Sequence, residues 1–186
     1  MEFLVQDLLK ELIEITLSNI SAAQHFKTKS DKDLNMRRSD QSWSILECLE
    51  HLNRYGTFYI PEIRNRMRSK THIQPQKIFR SGVMGNYFAN SMQLKNGSPK
   101  MKTFKSMNPI HSALSRNVLD LFIKQQTEML ELLEDARNCN LSRIKTAISI
   151  SKLIRIKLGD TFRFVVYHNQ RHIVQAQNVL ALQQLS

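Results

Sequence analysis

A chain of 186 residues with 41% hydrophobic and 23% charged side chains has ordinary globular composition and can bury a core without staples. No run of eighteen apolar residues occurs, which excludes a membrane-spanning helix, and five glycines and four prolines among long helix-period segments point to an all-α protein. The net charge of +11 is unevenly placed: from Ile63 to Leu119 there are eleven lysines and arginines and no acid, while the rest of the chain holds sixteen of each sign.

The opening stretch MEFLVQDLLKEL carries acids and reads as amphipathic helix, not as a secretory signal. A first helix is expected from Phe3 to Phe26, with Leu4, Leu8, Leu12, Ile15 and Ile20 on one side. The second opens in SWSILECLEHL, where Ser44 and Glu47 have capping-box spacing and Trp43 and Cys48 are placed as a hydrophobic staple. Its inner face is Ile45, Leu49, Leu52, Tyr59, Ile63 and Met67, and Pro61 predicts a kink or break. The basic insertion that follows, residues 74–105, contains Gly82, Gly85, Gly97 and Pro99 and no sustained helical period. It is too long for an ordinary connection, so it is expected to be functional or folded over the rest.

Asn108 and Pro109 are the expected cap and first turn of the third helix, which runs to about Arg137. Leu114, Val118, Leu121, Phe122, Gln125, Met129, Leu132 and Ala136 form its inner face. A shorter apolar and basic segment, Leu141 to Leu158, leads to Gly159, and Asp160 or Thr161 caps the fourth helix, which ends near Leu182. One domain spanning residues 1–186 is expected, a four-helix bundle with a long crossover between helices two and three. Cys48 and Cys139 stand alone with no motif spacing, which fits a reducing cytoplasm.

The chemistry begins on the fourth helix. Val165, His168, His172, Gln175 or Ala176, and Val179 share one face, so two imidazoles occupy an apolar stripe. Such a placement is costly unless something satisfies them, and histidines at i and i+4 both point at a common metal ion. A catalytic metal site usually takes three protein ligands. Among the other histidines, His25 and His72 fall near helix ends and His111 lies beside the basic region. His51 lies well inside helix two, about 100° around from Leu52 and on the edge of its buried face. If helices two and four are neighbours, His51 meets the pair across the core.

The segment WSILECLEHL, with tryptophan at a helix start and histidine eight positions later, resembles the second-helix motif of the DinB/YfiT-like metalloprotein superfamily. LGDTFRFVVYHNQRHIVQA resembles its fourth-helix motif, H-x-x-x-H after a glycine and a polar cap, and with the four-helix layout the likeness extends over nearly the whole chain. The resemblance implies a four-helix bundle in which His51, His168 and His172 hold a divalent metal such as Zn, Ni, Mn or Fe. It also implies a homodimer and two activities found in the family: metal-dependent hydrolysis, and S-transfer from low-molecular-weight thiols such as bacillithiol or mycothiol.

Three neutral histidines leave a metal its full charge, able to activate water or a thiol near neutral pH. Asn169 stands where HExxH proteases carry their glutamate, which argues against that chemistry. Glu47, one turn before His51, is a candidate to orient an imidazole, although the capping box already employs it. Tyr55 is a candidate donor to a bound oxygen or a core residue, and Arg171 a candidate contact for an anionic ligand or a surface ion-pair partner. The expected partner is thus a small-molecule substrate, anionic or electrophilic. The competing readings are a nucleic-acid or polyanion binder using residues 63–119 and a stress-related bundle with a structural metal. The basic region carries no helix-turn-helix, zinc-finger or RNP signature and no regular helical stripe, which argues against nucleic acid.

Overall fold

The structure, a computed structural model, describes residues 1–70, 72–94 and 103–183. Four long helices, α1 (Val5–Lys27), α3 (Ile45–Arg68), α5 (Asn117–Asp135) and α6 (Leu158–Gln183), form the bundle, with a short α2 (Asp31–Asn35) and α4 (Val83–Met92) outside it. Two small antiparallel pairs accompany them: β1 (Glu2–Leu4) with β2 (Ile78–Arg80), and β3 (Lys145–Ile148) with β4 (Ser151–Lys157). The expected four-helix bundle with a long crossover is therefore met, the strands being minor additions.

Around the ring, α1 packs on α5, α5 on α3, α3 on α6 and α6 on α1. The polar contacts give the directions. Asn53 bonds the Val118 carbonyl, Gln125 reaches Thr57, and Arg64 pairs with Glu128, so α3 and α5 run parallel. Parallel neighbours in sequence need a connection that returns over the helix length, and residues 69–116 supply it. By contrast α3 and α6 are antiparallel, with His51 beside His168 and Tyr59 beside Phe164. That orientation brings the middle of the fourth long helix against the first half of the second.

The α3 start is the capping box expected from Ser44 and Glu47, with the reciprocal bonds Glu47 N–H to Ser44 Oγ and Ser44 N–H to Glu47 Oε2. The expected inner face of α3 is buried throughout. Pro61 does not break it: α3 continues to Arg68. Burial of Tyr59, Ile60 and Ile63 around the proline offsets the lost hydrogen bond and the ring clash, about 3 kcal/mol.

Other expectations need correction. Leu4 belongs to β1 and is exposed, so the apolar face of α1 starts at Val5 and runs through Leu8, Leu9 and Leu12. The third long helix begins at Asn117, not at Asn108–Pro109. Asn108 Oδ1 instead accepts from Trp43 Nε1 and the Ile110 N–H, and His111 has φ 61, a left-handed conformation that a right-handed helix does not contain. Leu121, expected inside, is exposed on α5.

Residues 74–105 are not without regular structure: they contain β2 and the ten-residue α4. Its bundle-facing side escapes a hydrophobic-period reading because it is polar. Asn86 and Asn90 accept from the guanidinium of Arg163, and Gly82 N–H donates to Asp160 Oδ2. Gly85 packs so tightly on Asp160 that a Cβ there would overlap its carboxylate. Asp160 is therefore not the cap of its own helix: α6 starts at Leu158, and the Asp160 carboxylate serves the start of α4 and Ser81. Thr161 bonds Thr146 and the Lys157 carbonyl.

Candidate metal centre

His51 sits two turns into α3, and the capping box sets where those turns begin. His168 and His172 lie one turn apart on α6, facing it. The Nε2 atoms of His51 and His168 are 3.1 Å apart, and one ring nitrogen from each of the three histidines lies within 4.8 Å of the others. His51 and His168 are buried and His172 is half-buried.

Two of the rings are held from behind. His51 Nδ1 lies 2.7 Å from the Met107 carbonyl, and His172 Nδ1 lies 2.9 Å from Gln175 Oε1. Both partners are acceptors, so each Nδ1 carries the proton and each Nε2 presents a lone pair. The buried His168 Nδ1 has no partner among the described residues. Aromatic rings pack around the three: Trp43 lies against His51 and His172, Tyr55 against His51 and His168, and Phe164 stacks on His168.

Burial keeps all three imidazoles neutral. It pushes His51 down to about 4 and His172 down to about 3, and holds His168 well below the ordinary histidine value, with the neighbouring imidazoles adding to the effect for His168 and His172. The facing Nε2 atoms of His51 and His168, 3.1 Å apart, require a proton or a cation between them. Neutral and mutually converging, with two of the rings held by second partners, these nitrogens fit a divalent cation of borderline softness.

The triad opens on a cleft of about 850 Å³. Its walls come from α3 and α6, from α4 through Phe88 and Met92, from the β3–β4 hairpin through Ile148, Ile150 and Ile156, and from Thr103 and Phe104. Tyr55 and Arg171 both line it. The Tyr55 hydroxyl has no hydrogen-bond partner among the described residues, and burial with the neighbouring Tyr59 pushes its pKa up to about 12, so it remains a donor at neutral pH. Arg171 Nη1 reaches the Ser91 carbonyl on α4.

Other candidates stand elsewhere. Glu47 does not touch His51; besides the capping box it receives both Arg37 Nε and Nη2 and the His111 N–H. A backbone carbonyl, that of Met107, takes the orienting role instead, and no side-chain pattern in the sequence signals it. Gln175, read only as a position on the α6 stripe, is the orienting partner of His172. Trp43 packs on the cluster that contains Cys48, as a staple does, and also faces the cleft. Asn169 points away, bonding Gln126 on α5. His25, His72 and His111 take no part in the cluster. Of the acid-free region's bases, Arg64, Arg66, Arg80 and Arg116 are paired with Glu128, Glu62, Glu2 and Asp31, scattered over the surface. Lys95, Lys100 and Lys102 lie outside the described residues.

A family model for the DinB superfamily matches residues 19–176, and the chain belongs to that superfamily. The fold is similar to that of a solved structure, YfiT from Bacillus subtilis, described as "a probable metal-dependent hydrolase with an unusual four-helix bundle topology". The TM-score is 0.60 at 14% sequence identity, over 96% of this chain and 89% of that one. No curated protein matches the sequence. Among the described residues no helix is long and apolar enough to cross a membrane.

Proposed function

We propose that this DinB-superfamily chain is a metal-dependent enzyme in which His51, His168 and His172 hold a divalent ion beside a small-molecule cleft. The observation that carries this reading is the convergence of three neutral imidazoles at the floor of an open cleft, two with Nδ1 already committed to an acceptor. When bound, such an ion supplies Lewis acidity that brings the pKa of water or a thiol down toward neutrality.

The chain's own residues restrict the reaction. No aspartate or glutamate lines the cleft among the described residues, so no carboxylate there acts as general base. Cys48 is fully buried, with its thiol pushed up by burial, and Cys139 is likewise raised. Neither serves as a nucleophile. A thiol therefore enters, if at all, as a low-molecular-weight cosubstrate. Tyr55 supplies a fixed O–H donor to a substrate oxygen that gains charge in either hydrolysis or S-transfer.

The test is metal analysis of untagged protein by mass spectrometry, with His51→Ala and His168→Ala alongside. About one metal per chain in the parent and loss in both variants is the expected result. Full retention in both variants overturns the three-histidine site. Electrophile panels with and without low-molecular-weight thiols then separate hydrolysis from transfer.

A further inference from the structure

The carbonyl that holds His51 comes from a segment gripped by the same helix as the histidine. Lys105–Met107 form a single 3-10 turn, which the Asn108 N–H closes on the Lys105 carbonyl. Acceptors at the end of a helical turn are left over by the backbone and need donors from elsewhere. Here three consecutive carbonyls find them on α3. The Met107 carbonyl, in the middle, meets His51 Nδ1 at 2.7 Å. Those of Ser106 and Asn108, on either side, both accept from Nη1 of Arg54, at 3.2 Å each.

Arg54 follows His51 by three residues, so the two side chains are neighbours on one side of α3. The guanidinium is itself held: Nε donates to Glu50 Oε1 at 2.9 Å, in the favourable order of an acid four residues before a base. Because the guanidinium is a rigid planar fork, fixing Nε also fixes Nη1. Hydrogen bonds from a cation to carbonyls are stronger than those between neutral groups. Two further ties, Trp43 Nε1 to Asn108 Oδ1 and the His111 N–H to Glu47, secure the chain after Met107. Arg54 grips it on both sides of the Met107 carbonyl.

We infer that Arg54 is a positioning residue of the three-histidine centre. By holding the Ser106 and Asn108 carbonyls it aims the Met107 carbonyl at His51 Nδ1, which leaves the Nε2 lone pair of His51 facing the other two imidazoles. This deepens the metal-dependent reading, on which it rests, by naming what sets the tautomer of one ligand. Arg54 acts through the backbone, one step behind the acceptor that His51 meets.

The test pairs isotope-edited NMR of the histidine ring nitrogens in metal-free protein at pH 7 with zinc affinity, measured by competition with a chromophoric chelator. The parent, Arg54→Met and Arg54→Gln are compared with Arg64→Met, which breaks an ion pair of similar exposure on the same helix. In the parent, His51 is expected to carry its proton on Nδ1 and none on Nε2. Both Arg54 variants are expected to populate the Nε2–H form and to bind zinc about ten-fold more weakly, the lower end of what removing the orienting partner of a metal-bound histidine costs. Arg64→Met is expected to change neither. An unchanged His51 tautomer in both Arg54 variants overturns the proposal, as does unchanged zinc affinity in them when the parent binds zinc. An equal change in Arg64→Met also overturns it, since the effect is then one of general stability. A parent protein that binds no zinc overturns the metal reading instead, and the tautomer in the metal-free variants still decides the role of Arg54.

Discussion

The backbone N–H of His111 donates to Oε1 of Glu47 at 2.6 Å, across the start of α3. The same carboxylate, 1% exposed, also caps α3 through the Ser44 N–H and receives the Arg37 guanidinium. The segment so clamped begins four residues earlier with Met107, whose carbonyl holds His51. Glu47 thus acts on the imidazole at one remove, by fixing the chain that carries its acceptor.

Replacing Glu47 by Gln is expected to lower stability by about 2 kcal/mol at pH 7, through loss of charge-assisted hydrogen bonds. Burial by itself raises the Glu47 pKa, but Arg37 and the N–H groups of Ser44 and His111 outweigh it and hold the group below its ordinary value. A depressed folded pKa gives stability that is present above the ordinary glutamate range and lost as pH falls through the folded value. Urea midpoints taken from pH 6 down to pH 3 should therefore fall more steeply for the parent than for Glu47→Gln. Parallel curves would show that the carboxylate contributes no such linkage.

Added metal should stabilise the fold in proportion to its binding. At a free concentration near 100 times Kd the gain is about 2.7 kcal/mol, which for a chain of this size corresponds to a Tm rise of roughly 5–10 °C. Differential scanning calorimetry of chelator-treated protein with Zn or Ni reads this directly. His172→Ala should abolish the rise. An equal rise in that variant would place the bound ion elsewhere.

Tyr55→Phe removes a hydroxyl that makes no hydrogen bond among the described residues, so stability should change by less than about 1 kcal/mol. Metal content should be unchanged. Turnover of whichever electrophile the panel identifies should fall by about 10²-fold, the scale for loss of one donor to a developing charge. Unaltered turnover would return Tyr55 to a packing role beside Tyr59.

Asp160 and Arg163 are 0% and 1% exposed and pair at 3.2 Å, while Arg163 Nη1 and Nη2 also reach Asn86 and Asn90. Asp160→Asn leaves a buried guanidinium without its counter-charge, at a cost of about 3 kcal/mol or more. Because that carboxylate also receives Gly82 N–H and Ser81, the loss should centre on α4. Hydrogen exchange should quicken first over Val83–Met92. Uniform quickening across the bundle would show that the pair supports the core rather than α4.

The sequence by itself determined what depends on neighbours along the chain. Helical period marked the four long helices, Ser44 and Glu47 set the start of α3, and four-residue spacing put His168 and His172 on one face. Tertiary structure alone decided what depends on contacts between distant segments. Antiparallel packing of α3 on α6 brings His51 to the pair, and a carbonyl at position 107 orients it. The left-handed residue His111 delays α5, and a polar face fixes α4 against Asp160 and Arg163. Local spacing sets which way a side chain points on its own helix. Long-range packing decides what it meets, because backbone acceptors and polar docking faces leave no hydrophobic period to read.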